Sequence, residues 1–193
     1  YMDNHGLPLG QAGLDITAHY YNASMAWNGG KLEAVVNAKE LPTEWRPGVV
    51  EDVERGFREN IEPLPWQTCT CLGDWHYARS LFDNHQYKSA STVIHRLCDI
   101  VSKNGNLLIG IGPDEHGRII AQQQEPLHGL GAWMKDNGKV IRGSRPWTQP
   151  ATETTDGTGV RFVQQGGDVY AILLGLPGAR TFALRGVDGR SVD

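Results

Sequence analysis

The chain has 193 residues, 39% of them hydrophobic, enough for one core and part of a second. A net charge of -4 gives no electrostatic draw toward nucleic acid or an anionic membrane surface, and no apolar run approaches the roughly 20 residues of a membrane helix. Three cysteines, Cys69, Cys71 and Cys98, are too few for a disulfide scaffold, and the single residue between Cys69 and Cys71 falls short of zinc-ligand spacing, so neither metal nor cofactor is expected.

In chain order, Tyr1, Met2 and Asp3 read as the end of a strand running into a Gly-containing loop. Residues 11–28 carry Leu14, Ala18, Tyr21 and Met25 at helical spacing, with Ile16 off the stripe, and Gly29-Gly30 stops them. Residues 32–36 read as a short apolar strand with Asn37, Lys39 and Glu40 at its end; Pro42 and Pro47 mark the loop beyond. Residues 49–56 are the next strand, dense in acids, with Asp52 and Glu54 on one side and Glu51 on the other. A polar loop leads to a strand over 66–72, then to the aromatic loop Gly73-Asp74-Trp75-His76-Tyr77. Residues 89–103 give the clearest helix: Val93, Ile94, Leu97, Cys98, Ile100 and Val101 form one stripe, and Ser89 or Ser91 caps it. Residues 104–113 predict a strand apolar on both faces, because Leu107, Leu108, Ile109 and Ile111 do not alternate with polar residues, while three glycines and a proline disfavour helix. A last helix spans 119–137, with Leu127, Leu130, Trp133 and Met134 inward.

Composition then shifts. Residues 144–158 are rich in Pro, Thr, Ser and Gly, which predicts a linker or domain-edge loop. Short runs at 160–163, 168–174 and 181–184 predict the start of an all-β module over 159–193. Residues 1–143 alternate strands and helices, half the count of a (β/α)8 barrel, which needs roughly 250 residues. The fold class read here is α/β: the C-terminal half of a TIM-like barrel, then an all-β domain, the whole a piece of a larger protein.

On barrel strands, Asp3, Glu54 and the 73–77 loop would lie at the catalytic mouth, each at or just past a strand's carboxyl end. Two carboxylates across one aromatic-walled pocket are the minimum for glycoside hydrolysis: one attacks or stabilises the anomeric carbon, the other moves protons. Asp3 has little apolar bulk nearby, which suits an ionised nucleophile. Val53 and nearby tryptophans would raise the pKa of Glu54, as an acid requires, while Arg55 pulls the other way unless it points to the opposite face. The same acids also fit solvated loop charges or structural ion pairs. Six Trp and six Tyr fit core packing as well as stacking on sugar rings.

Trp66-Gln67-Thr68-Cys69, Gly73-Asp74-Trp75-His76-Tyr77, the run from Asp99 through Lys103-Asn104-Gly105-Asn106-Leu107-Leu108-Ile109-Gly110-Ile111-Gly112-Pro113, Asp114 with Gly117, Leu130-Gly131 with Trp133, and Asn137-Gly138 resemble, in this order, the second half of the family 29 glycoside hydrolases, the retaining α-L-fucosidases. The resemblance spans residues 1–147. It implies a barrel catalytic domain followed by a β-sandwich, and removal of terminal α-L-fucosyl residues from a fucosylated glycan or oligosaccharide through a covalent glycosyl-enzyme. It also implies a secreted or periplasmic location, and leaves homo-oligomerisation open.

Within the resemblance, Tyr1-Met2-Asp3-Asn4 matches the strand end that carries the nucleophilic aspartate. Many members have a catalytic Glu in a Trp-Glu-x-Cys segment, but Gln67 stands there in this chain, and an amide cannot donate and recover a proton. Glu54 is then the expected acid/base, with Glu51 in reserve. Arg55, Trp66, Trp75, His76 and Tyr77 are expected substrate contacts, the aromatic loop around the C5 methyl of fucose and Arg55 on the nucleophile or a sugar hydroxyl. Trp66 equally fits the core, and His95 fits a structural role. The family's first three strands are absent, so residues 1–193 alone are expected to hydrolyse nothing. Gln67 also supports a competing class, a non-catalytic carbohydrate-binding protein that keeps the hydrolase mouth; a third reading is a retaining barrel glycosidase of another sugar preference.

Overall fold

Four strands, β1 (Asn37–Lys39), β2 (Val50–Asp52), β3 (Trp66–Cys71) and β4 (Gly105–Gly110), form a parallel sheet in chain order in the computed structural model, which describes residues 1–3 and 10–187. A parallel bridge from Met2 to Ala38 continues the sheet beyond β1. The order never reverses, unlike that of a doubly wound sheet. The loop expected after Asp3, with Asn4 and Gly6, lies outside the described residues, as does the end of the predicted β module at 188–193.

Helices α1 (Gln11–Trp27), α2 (Arg79–Asp83), α3 (Ala90–Val101) and α4 (Ala121–Asn137) connect or follow these strands. Helix α3 starts where the Ser89 hydroxyl accepts from the Thr92 amide at 3.2 Å, an N-cap that satisfies one donor of the first turn. It buries Val93, Cys98 and Ile100. Helix α1 has the expected extent but a rotated inner face. Gly13, Thr17 and Ser24 are buried, Leu14 and Tyr21 pack on the core of Val36, Ala38, Leu41 and Val49, and Ala18 and Met25 face solvent. The Tyr21 hydroxyl decides this rotation: it donates to the Gly48 carbonyl at 2.6 Å and accepts from the Val36 amide at 3.3 Å.

Three strand readings shift. The strand expected at 32–36 sits at Asn37–Lys39 instead, because parallel pairing begins where Val50 donates to the Val36 carbonyl; Leu32 and Val35 stay exposed. β2 ends at Asp52, since Arg55 adopts a φ of 52° and turns the chain, with the Thr68 hydroxyl on the Val53 carbonyl at 2.8 Å. Glu54 and Arg55 therefore stand on a loop just beyond the strand. β4 is not covered on both faces. Leu108 is 46% exposed, because among the described residues β4 pairs with β3 alone, and Leu108 points to the open side of the sheet.

The second sheet is antiparallel: β5 (Arg145–Glu153), β6 (Gly159–Gln165) and β7 (Asp168–Leu173) in that order. β5 occupies the stretch expected to be a linker. Its prolines are tolerated because it is an edge strand with a register shift between Pro146 and Ala151. Gly166 and Gly167, both at positive φ, make the two-residue turn between β6 and β7. The predicted strand at 181–184 reduces to one bridge, Thr154 to Leu184. The two sheets are joined through α3: the Arg161 guanidinium on β6 binds the Asp99 carboxylate at 2.6 Å, and Asp99 also holds Lys103.

Trp66 is the hinge of this packing. It is 0% exposed, and its indole donates to the Lys103 carbonyl at 2.9 Å. Gly105 on β4 faces it with no room for a side chain: a Cβ would stand 2.6 Å from the Trp66 ring and 2.7 Å from Ile100. Gly105→Ala is therefore expected to destabilise by about 1–3 kcal/mol through overpacking. A chemical-denaturation midpoint equal to that of the unsubstituted protein would contradict this.

Candidate active site

Register decides which side chains share the open face of the parallel sheet. Lys39 pairs with Asp52, Asp52 with Gln67, and Gln67 with Asn106, while Cys69 pairs with Leu108 one step further along. Asp3, one residue past the Met2–Ala38 bridge, comes level with Lys39. One polar row thus crosses the sheet toward its carboxyl ends, where a cavity of about 470 Å³ opens. Tyr1, Asp3 and Lys39 line one side, Glu54 and Cys69 the middle, and Trp75, His76 and Leu108 the other.

Asp3 and Glu54 meet across Lys39. The ammonium lies 2.7 Å from Asp3 Oδ1 and 2.7 Å from Glu54 Oε2, so these oxygens are within twice that distance of each other. The indole of Trp75 donates to the other Glu54 oxygen at 3.1 Å. The effects on titration follow. The Lys39 hydrogen bond is the main reason the Glu54 carboxyl sits below its ordinary range, with the Trp75 bond and Arg55 adding to it. The expectation of a raised Glu54 pKa is therefore corrected: an ammonium in contact outweighs the slight burial, Trp75 acts in the same direction as the ammonium, and much of the carboxyl meets solvent. For Lys39, burial alone would lower the pKa, but bonds to Asp3 and Glu54 win and raise it.

Beneath this trio lies a buried polar floor. Asp52 is 2% exposed and accepts from the Tyr1 hydroxyl and, at 3.3 Å, from the Gln67 amide. Burial, and then Asp52, push the Tyr1 hydroxyl pKa up. Burial likewise pushes the Cys69 thiol up to about 11, with Asp52 adding to it, so this cysteine is a poor nucleophile at neutral pH. Gln67 is thus a partner of Asp52 and does not line the cavity.

The remaining expected contacts divide. Trp75 and His76 line the cavity. Trp66 does not reach it, being sealed in the core behind β3 because it points to the helix side of the strand. Tyr77 turns toward Phe82, with ring centroids 6.5 Å apart. Arg55 is bound to Asp74 at 2.9 Å and stacked on Trp75 at 4.7 Å, so it braces the aromatic loop and does not touch Asp3 in this arrangement. Glu51, the reserve acid, points the other way and is held by Arg46 and Arg58. His95 lies on α3 beside Ser91, away from the cavity. Sequence reasoning missed Lys39, Tyr1 and Leu108. Lys39 had a readable signal, since it stood at the end of a predicted strand on the same rim as Asp3.

A family model described as alpha-L-fucosidase matches residues 14–139, and the chain belongs to this family. It is 35% identical over 121 residues to tissue alpha-L-fucosidase of Bos taurus, covering 62% of this chain and 25% of that protein. It is 32% identical over 128 residues to an alpha-L-fucosidase of Branchiostoma floridae, covering 64% and 27%. The chain thus matches about a quarter of the length of these curated relatives. Among solved structures, an alpha-L-fucosidase superposes with a TM-score of 0.80 at 25% identity, over 97% of this chain and 41% of that one. Thermotoga maritima alpha-fucosidase does so with a TM-score of 0.64 at 26% identity, over 75% and 36%.

If Lys39 holds Glu54 ionised, Lys39→Met will raise the Glu54 pKa, read by NMR titration of the carboxyl carbon. The sign for stability follows: with its native pKa below 4.5, Glu54 stabilises the fold above that pH and loses the contribution as pH falls through the lower native value. In Lys39→Met that acid-dependent part should shrink. An unmoved titration would show that Lys39 is not the cause.

Proposed function

We propose that this chain forms one side of the active site of a retaining α-L-fucosidase, a barrel enzyme in which Asp3 is the nucleophile and Glu54 the acid/base. The meeting of Asp3 and Glu54 across Lys39 carries this reading. Retaining glycosidases hold their two carboxyl groups only about 5–5.5 Å apart, against about 6.5–9.5 Å in inverting ones. Two oxygens that share one ammonium at 2.7 Å fall in the closer class.

Several features support the barrel and the two domains. Parallel strands in unreversed order, with the candidate residues at or beyond their carboxyl ends, suit a (β/α)8 wall. In this reading residues 1–143 belong to the barrel and the antiparallel sheet begins a second, β domain near Arg145.

In the first step, Asp3 would attack the anomeric carbon of a terminal α-L-fucosyl unit. The bond to the glycosidic oxygen breaks as Glu54 gives that oxygen its proton, leaving a fucosyl ester on Asp3 and a free alcohol. In the second, Glu54 takes a proton from water, the resulting hydroxide attacks the same carbon, and Asp3 leaves as carboxylate with the anomeric configuration restored. Lys39 has two tasks in this scheme. It holds Asp3 in place for attack, and it must give up Glu54 so that Glu54 can carry a proton. A sugar seated between the two acids competes with the ammonium for that gap. Trp75, His76 and Leu108 offer an apolar wall for the C5 methyl of fucose.

The competing reading, a carbohydrate-binding protein without turnover, draws on Lys39: an acid kept ionised does not protonate a leaving group. Release of 4-nitrophenol from an aryl α-L-fucoside by the full-length polypeptide separates the two, since binding of fucose without release favours the second. For the enzyme, Asp3→Ala should abolish turnover, and azide added to Asp3→Gly should give β-fucosyl azide. Glu54→Ala should lower rates by about 10²–10⁴-fold on glycans whose leaving group needs protonation, and far less on aryl fucosides. Near-normal rates on glycans would remove Glu54 from the role.

A further inference from the structure

We propose that Gln123 is a positioning residue for the active site, holding Trp75 and His76 in place over Glu54 by clamping the backbone of Gly112. The kinetic part of this proposal rests on the fucosidase reading above.

Gln123 is 1% exposed, on the first turn of α4. A glutamine amide buried this deeply needs partners for both ends. Here both ends go to one residue. Its carbonyl oxygen accepts from the Gly112 amide at 3.0 Å, and its amide nitrogen donates to the Gly112 carbonyl at 2.8 Å. Two opposed bonds fix Gly112 in position and in orientation, as a pairing strand would.

Gly112 in turn supports the aromatic loop. A Cβ at this position would stand 2.8 Å from the His76 carbonyl carbon and 2.9 Å from the Tyr77 nitrogen, so the backbone of the β4 exit lies directly against the backbone of 76–77. Only glycine permits this approach. Two residues earlier, a Cβ at Gly110 would touch the Trp75 ring at 3.6 Å. The β4 exit is therefore a shelf under Trp75 and His76, and Gln123 sets its height. From above, Arg55 stacks on Trp75 and is tied to Asp74, and the Trp75 indole reaches Glu54. The wall is gripped from both sides, and Gln123 grips it through Gly112 without itself lining the cavity.

The test compares Gln123→Leu, which removes both bonds at similar volume, Gln123→Glu, which keeps the acceptor and loses the donor, and Gly112→Ala, which pushes on the same contact from the other end. Assayed in the full-length polypeptide with 4-nitrophenyl α-L-fucoside, all three should raise KM more than they lower kcat, with kcat/KM falling by about tenfold to a hundredfold, the scale of a misplaced contact wall. A lowered melting temperature with unchanged kcat and KM would overturn the proposal, because a merely structural glutamine predicts that result. A second readout needs no turnover. The emission of Trp75, obtained as the difference between each protein and the same protein carrying Trp75→Phe, should shift in Gln123→Glu relative to the unsubstituted protein. An unchanged difference spectrum would overturn the proposal even if no fucoside is cleaved, whereas a shifted spectrum with no cleavage by the unsubstituted protein would uphold it and sink the fucosidase reading instead.

Discussion

Parallel pairing in chain order, from the Met2–Ala38 bridge to the β3–β4 ladder, brings every strand's carboxyl end to one rim. It gathers Asp3, Lys39, Glu54 and Trp75, which lie up to 72 positions apart in sequence. The sheet does so without a helix between β2 and β3; residues 53–65 cross as loop, and their backbone is tied down by Thr68 and by Asn104, whose amide donates to the Glu62 carbonyl at 3.0 Å. The rim is therefore built from short strands and braced loops, and its precision depends on contacts such as Gly105 against Trp66 and Gly112 against His76.

On that rim the dominant electrostatic fact is one ammonium between two carboxylates. Lys39 is mostly screened from solvent, whereas Asp3 and Glu54 are about half exposed. The cation sits deeper than either anion, so the acids come to it. This order explains how two acids are held close on an open surface: each makes a 2.7 Å contact to the shared cation, which offsets their mutual repulsion. It also couples the two acids, because whatever displaces Lys39 from one changes the field at the other.

Much of the architecture was legible in the sequence, for reasons that can be assigned. The helix of α3 had a cap and an unbroken apolar stripe; the run at β4 was short, apolar and too rich in glycine for helix. What failed were features set by partners far away in sequence. The start of β1 depends on where Val50 pairs, the face of α1 on the Tyr21 hydroxyl, and the half-open state of Leu108 on which neighbour β4 has. β5 was hidden because edge strands accept prolines that a central strand would reject. At the site, acids at strand ends were readable, since topology alone carries them to the rim. Trp66 was ambiguous until its side of β3 was known. The state of Glu54 was not readable, because its partner Lys39 belongs to a different strand.

Gln67 illustrates how a residue that looks wrong by pattern can be right by surroundings. Its place in the family pattern Trp-Glu-x-Cys suggests a lost carboxylate, yet its side chain faces Asp52, which is buried and already takes a hydrogen bond from Tyr1. A second carboxylate here would stand against the first and supply it no donor. The nearest ammonium, Lys39, is committed to Asp3 and Glu54. An amide removes the conflict by supplying the donor that Asp52 needs. Residue 67 thus belongs to the floor under the cavity, while Asp3 and Glu54 stand on the rim, where solvent has access.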